Sequence, residues 1–152
     1  MDIIRDTREA AYYFTFKSYA DVRIVDKKLD TGDYSCPTFE KIVTVDRKHS
    51  SQELYLNFGS DSKRFDKELE RMKDIKFAYF VCSFPFSRLD EFPVNSGIPT
   101  NRWKNLRIKG SYLRKRIKDI EEQYPNIKFI FCRDFNEAEA ITYQILKEHT
   151  NG

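Results

Sequence analysis

Apolar residues recur along this chain with two spacings, and the switches between them mark out its elements. Asp2-Ile3-Ile4-Arg5 begins as a brief strand, and Val22-Arg23-Ile24-Val25 alternates apolar with polar, the period of a half-buried strand. Ile42-Val43-Thr44-Val45 is apolar and β-branched, so it reads as a strand; Gly32 to Cys36 forms a shorter one, and Pro37 to Lys41 carries the reversal between them. Phe77-Ala78-Tyr79-Phe80-Val81-Cys82 is a nearly continuous apolar run, expected of a central strand covered on both faces. Ile127-Lys128-Phe129-Ile130-Phe131-Cys132 adds another strand.

Helical spacing fills the gaps. His49 to Leu54 starts a helix with Leu54, Tyr55 and Phe58 to bury, and Gly59-Ser60-Asp61-Ser62 ends it. From Lys63 to Lys73, Phe65, Leu69 and Met72 form an apolar stripe, with Ser62 as N-cap. Ser111 to Gln123 turns Leu113, Ile117, Ile120 and the following Tyr124 inward, and Arg114, Lys115, Arg116 and Lys118 outward. Asn136 with Glu139 makes a capping box for a last helix striped by Ala138, Ile141, Ile145 and Leu146. Asp6 or Thr7 can cap a short helix or turn over residues 10–14.

Residues 84–110 are the least regular part, punctuated by Pro85, Pro93, Gly97, Pro99 and Gly110, and read as a long surface excursion. Arg88, Arg102, Lys104, Arg107 and Lys109 interleaved with Trp103 suit nucleic-acid contact; the alternative is a solvated loop pinned by Trp103 in the core. The element order predicts an α/β fold, a mixed sheet with helices on both faces.

Composition narrows the class without naming a function. A chain of 152 residues is large enough to bury a core as a single domain over 1–152. The balance of 27 basic against 24 acidic residues, net +3, gives only weak support for a polyanion partner, so the distribution of charge matters more. Cys36, Cys82 and Cys132 form no Cys-x-x-Cys pair, and the apolar runs around Cys82 and Cys132 predict buried, reduced thiols. No stretch reads as a membrane span or a signal peptide. The expectation is a reducing compartment, cytoplasmic or (in a eukaryote) nuclear, and no secretion.

Candidate chemistry gathers at the hairpin. A turn centred near Phe39 sets Asp33 opposite Asp46, and alternation sends Asp46 and Lys48 to one side and Arg47 to the other. Two carboxylates and an ammonium then converge at the open end, which is a cation site with a positive charge beside it. A solvated hairpin end is the bland alternative. His49 next to it is a weaker candidate for a general base, with a surface role favoured.

Upstream and downstream pieces complete a pattern: Asp6-Thr7-Arg8-Glu9, then Gly32-Asp33-Tyr34, then Asp46-Arg47-Lys48, then Lys63-Arg64-Phe65 opening a helix. Over roughly residues 3–82 this resembles the nuclease domain of XPF-type structure-specific endonucleases, in the PD-(D/E)XK superfamily. The resemblance implies a three-layer α/β/α, restriction-endonuclease-like fold and a DNA endonuclease dependent on Mg²⁺ or Mn²⁺. It implies that Asp33, Asp46 and the backbone carbonyl of Arg47 hold the metal, with Asp6 at the same site directly or through water. Lys48 would orient the attacking water or meet the scissile phosphate, while Arg8 and Glu9 match the family's Arg-Glu motif beside the site and Glu53 stands next to the outer carboxylate position. Arg8, Arg47, Lys63 and Arg64 would contact DNA backbone phosphates. Members of that family commonly pair through their nuclease domains, so a homodimer is expected on the resemblance alone.

Two departures accompany it. Asp46 stands where the family has Glu, and Gln52 where it has an outer Asp, with Glu53 adjacent. The tandem helix-hairpin-helix modules of larger members are absent from the sequence given, so preference for branched or flap DNA does not carry over. The rival readings are an inactive nuclease fold kept for DNA or protein contacts, and an exonuclease or RNA-cleaving enzyme of the same superfamily. Retention of Asp33, Asp46 and Lys48 together argues against the first.

Overall fold

The alternating segments assemble into one six-stranded mixed sheet. The computed structural model describes residues 1–9 and 13–151. Its strands are β1 (Asp2–Arg5), β2 (Arg23–Asp26), β3 (Tyr34–Ser35), β4 (Val43–Lys48), β5 (Phe77–Cys82) and β6 (Ile127–Phe131), in the spatial order β2-β1-β3-β4-β5-β6. β3 runs antiparallel to both its neighbours, whereas β1 with β2 and β4 with β5 and β6 are parallel pairs. The C-terminal ends of β1, β4, β5 and β6 therefore share one edge of the sheet with the start of β3.

The hairpin register is the one read from sequence. Tyr34 pairs with Val45, which sets Asp33 opposite Asp46. The strand bounds differ. β3 is only Tyr34–Ser35, because Gly32 turns the chain at φ +83°, where an added Cβ would lie 2.0 Å from Thr44 Oγ1. β4 reaches Lys48 because all six of its residues pair with Phe77–Cys82 of β5.

Helices cover both faces. α1 (Ser51–Phe58), α2 (Ser62–Met72) and α4 (Gly110–Gln123) bury Leu54, Phe58, Phe65, Leu69, Leu113, Ile117 and Ile120 against Ala78, Phe80 and Phe129. On the opposite face α5 (Phe135–Asn151) packs Ala138, Ile145 and Leu146 with Phe14, Phe16, Tyr34, Val43 and Val45. This is the three-layer α/β/α arrangement. Phe65, Leu69 and Met72 are buried, each burial stabilising α2's seat by about 1.5–3 kcal/mol. Cys36, Cys82 and Cys132 are buried and outside any disulfide. No helix among the described residues is long and apolar enough to cross a membrane.

Three expectations need correcting. The stretch 84–110 is not an irregular excursion: it carries α3 (Ser87–Asp90) and a 3-10 turn over Thr100–Asn105. Leu89 is fully buried there, and half-buried Trp103 donates its indole N–H to the Ile98 carbonyl at 2.9 Å, so tertiary packing orders a segment whose Pro and Gly read as loop. The cap of α5 is not Asn136 with Glu139. Asp134 Oδ1 accepts the Glu137 N–H at 2.9 Å, while Glu139 reaches across to the amides of Thr15 and Phe16. At α2, Asp61 takes the cap position in place of Ser62. The turn expected over 10–14 falls largely on residues 10–12, outside the described residues.

Candidate active site

Three adjacent strands bring three aspartates to the shared edge. Arg5 pairs with Tyr34 across β1 and β3, so Asp6 follows opposite Asp33, and its N–H donates to the Asp33 carbonyl at 2.8 Å. Asp33 in turn lies opposite Asp46, and its Oδ2 accepts the Arg47 N–H at 2.8 Å. Val45 offers its carbonyl to the Asp33 N–H, and Lys48 offers its own to Ser83 on the β5 side. By alternation the carbonyl of Arg47 faces the Asp33 side.

Lys48 projects with Asp46, as the period of two requires. Its Nζ lies 3.3 Å from Asp46 Oδ1 and 5.4 Å from the ring centroids of Phe65 and Phe80. Burial alone would push this ammonium down, but the carboxylates of Asp46, Glu68, Glu53 and Asp33 outweigh it and leave its pKa raised. It is a fixed positive charge on an apolar floor. Burial, then the charges of Asp46 and Glu9, hold Asp33 well above the usual carboxylate range.

The same edge holds a polar cavity of about 220 Å³ lined by Asp6, Arg8, Asp30, Thr31, Gly32, Asp33, Asp46, Glu68 and Arg71. Glu68 and Arg71 come from α2 and were missed in the sequence. Burial, followed by the charge of Asp46, pushes the Glu68 carboxyl up to about 9. A signal existed: Glu68 borders the Phe65-Leu69-Met72 stripe, so it sits at the rim where α2 meets the sheet. A second cavity of about 430 Å³, lined by Lys27, Lys28, Lys41, Glu40 and Ile75, shares Asp30 and Thr31 with the first.

The remaining candidates divide. Asp6 is buried and lines the cavity, but Oδ1 accepts from Leu29 N and Arg8 Nη2, and Oδ2 from Arg8 N and Nε. Those bonds outweigh the penalty of burial, the largest single influence, and hold its pKa below the usual carboxylate range. Arg8 is bound to Asp6 and to the Leu29 carbonyl at 2.6 Å, with its side chain still 61% exposed at the cavity mouth. Arg47 is the correction. Its guanidinium lies on the opposite face of the sheet, buried, 3.0 Å from Glu9 Oε2, which also accepts the Tyr34 hydroxyl at 2.8 Å. Paired there with Glu9, it is not positioned to meet a phosphate.

Lys63 and Arg64 are exposed at the start of α2, and Arg64 is 3.1 Å from Asp61. Glu53 accepts the His49 N–H at 3.2 Å and Gln52 donates its N–H to the Ser96 carbonyl at 3.2 Å; neither lines the cavity. His49 is half-buried, its imidazole pushed down by burial and by the charge of Arg47.

Among the described residues, no three His, Cys, Asp or Glu side chains converge tightly enough to cage an ion as they stand. The donor set nevertheless fits a hard divalent cation in kind: oxygen ligands only, gathered where like charges oppose one another.

No protein-family model matches the sequence, and no curated protein sequence does either. Solved structures do match. XPF from Aeropyrum pernix superposes with a TM-score of 0.70 at 17% identity, over 99% of this chain and 62% of that one. The structure titled as XPF from Aeropyrum pernix in complex with DNA gives 0.68 at 17% identity, over 99% and 65%. This chain thus spans less than two thirds of the length of either. Sheet order, edge and superposition agree: the chain has an XPF-type nuclease fold.

Proposed function

We propose that this chain is a divalent-metal-dependent nuclease that hydrolyses phosphodiester bonds of DNA. The observation that carries the reading is Asp33 facing Asp46 at the strand ends, both lining a polar cavity, with the buried Lys48 ammonium 3.3 Å from Asp46. Asp33, Asp46 and the Arg47 carbonyl would hold Mg²⁺ or Mn²⁺, with Asp6 acting through water because its own oxygens are engaged. When bound, the ion supplies charge neutralisation and a lowered pKa for water.

Lys48 is the residue that meets developing charge. Held protonated on an apolar floor, it stabilises the phosphorane-like transition state without having to reorganise. Arg8 and Arg71 at the cavity mouth, and Lys63 and Arg64 about two turns before Arg71 on α2, bind backbone phosphates without reading sequence. A homodimer through this domain belongs to the same reading.

A second reading is a DNA-binding module that does not cut. The engaged oxygens of Asp6 and the Gln at position 52 favour it. The test incubates the 152-residue protein with single-stranded, duplex, flap and four-way DNA, and with RNA, in Mg²⁺ or Mn²⁺ or with EDTA. Metal-dependent cuts support the first reading; salt-sensitive binding with no cut in any arm supports the second. Absence of binding throughout removes nucleic acid from the account.

A further inference from the structure

We propose that a lysine-bearing trench beside the candidate active site seats the DNA strand on one side of the scissile bond, with Lys28 and Lys41 holding its backbone phosphates. The inference rests on the reading of this chain as a DNA nuclease, and adds to it the path of the strand and the residues that hold it.

Two cavities meet at Asp30 and Thr31: the polar one at the strand ends, and the larger one of about 430 Å³ next to it. The segment 27–33 lines both and is pinned along its length. The Lys27 N–H donates to the Arg5 carbonyl at 3.2 Å and the Leu29 N–H to Asp6 Oδ1 at 2.8 Å, while the Thr31 carbonyl accepts the Thr44 hydroxyl at 2.9 Å. Glu68 and Arg71 of α2 line the first cavity, and buried Ile75, just past that helix, lines the second. Lys41 is tied in as well, its carbonyl accepting the Lys76 N–H at 3.1 Å. A trench held by such bonds is preformed, so a strand entering it orders little of the protein.

Charge changes along the trench. Asp33, Asp46 and Glu68 stand at one end; Lys27, Lys28 and Lys41 stand at the other, against Asp30 and Glu40. Lys27 is 3.4 Å from Glu40, whereas Lys28 and Lys41 are exposed and make no ion pair among the described residues. A scissile phosphate at the carboxylate end leaves the next phosphates of the strand to pass the surfaces beside it. The lysines offer them a concave, basic surface, where charge neutralisation releases counterions without reading sequence.

The experiment follows the fluorescence anisotropy of labelled single-stranded and duplex oligodeoxynucleotides in EDTA over a series of salt concentrations. It compares wild type, Lys28→Ala with Lys41→Ala, Glu40→Gln, and a control pair, Lys118→Ala with Lys128→Ala, on α4 and β6. All four lysines are exposed, so their loss leaves the core intact. The trench pair is expected to weaken binding and to make the log-log salt plot shallower by up to about two units. Glu40→Gln is expected to tighten binding, because it removes a carboxylate from the trench and releases Lys27. The control pair, which removes the same charge, is expected to keep the wild-type slope. Wild-type affinity and slope in the trench pair overturn the inference and leave the nuclease reading standing. Equal losses in the trench and control pairs do the same, since the effect is then one of net charge. Absence of salt-sensitive binding by the wild type overturns both.

Discussion

Arg47 and Glu9 form a buried ion pair, 3.0 Å apart, on the face of the sheet opposite the candidate active site. Tyr34 donates its hydroxyl to the same Glu9 oxygen, and the Arg47 guanidinium sits 6.0 Å from the Phe14 ring centroid. A pair desolvated on both sides is destabilised more by losing one member than by losing both. Arg47→Ala should therefore lower stability by about 3–5 kcal/mol, and the double change of Arg47→Met with Glu9→Leu by clearly less, in urea denaturation. Full stability in Arg47→Ala with DNA binding lost would instead return Arg47 to the phosphate path.

Asp33→Asn separates chemistry from folding. The amide oxygen can still accept the Arg47 N–H, and one of two opposed charges is gone, so the fold should hold or gain. A neutral amide is a poor Mg²⁺ ligand, and cleavage should fall on the order of a hundredfold or more, with DNA affinity kept. Circular dichroism, a cleavage assay and a binding assay on one preparation check this; wild-type cutting by a folded variant would refute the catalytic assignment.

Stability should fall as pH rises, and Glu68 is a principal reason. Its folded pKa is raised to about 9 from an ordinary 4.5, by burial first and then by Asp46. The folded protein thus holds a proton that the unfolded chain releases. The contribution is complete below about 4.5 and is lost as pH climbs through about 9. Asp33, raised for the same causes, adds to the slope. Glu68→Gln should flatten the profile of metal-free protein, and parallel curves for wild type and variant would contradict this.

Binding to DNA should depend steeply on salt, because phosphate contacts release counterions. Reversing Lys63 and Arg64 to Glu should weaken affinity for all sequences alike and make the log-log salt plot shallower by up to about two units. Fluorescence anisotropy in EDTA measures this without cleavage. A slope near zero for the wild type would exclude a phosphate-led interface.

The parts of this protein that depend on neighbouring residues were readable from its sequence. A short reversal fixes register and the period of two fixes sides, so Asp33 opposite Asp46, with Lys48 beside Asp46 and Arg47 turned away, followed from local geometry. The apolar run of β5 and the stripe of α2 likewise declared their own burial. Everything that required two distant segments to meet was decided by tertiary structure. Arg47 turning away was legible, but not that Glu9 waits there to pair with it. Leu29, 23 residues further along the chain and just after β2, supplies an amide that occupies Asp6. Packing gives order to residues 84–110, where local signals are all turns, and draws Glu139 from its own helix to Thr15 and Phe16. Glu68 shows the difference most plainly: in sequence it is one charge on an amphipathic helix, and only the seating of α2 on the sheet brings it into the cavity that Asp33 and Asp46 line. Periodicity says which face of an element is buried, but the partner across that interface is chosen by three-dimensional packing, which no local pattern encodes.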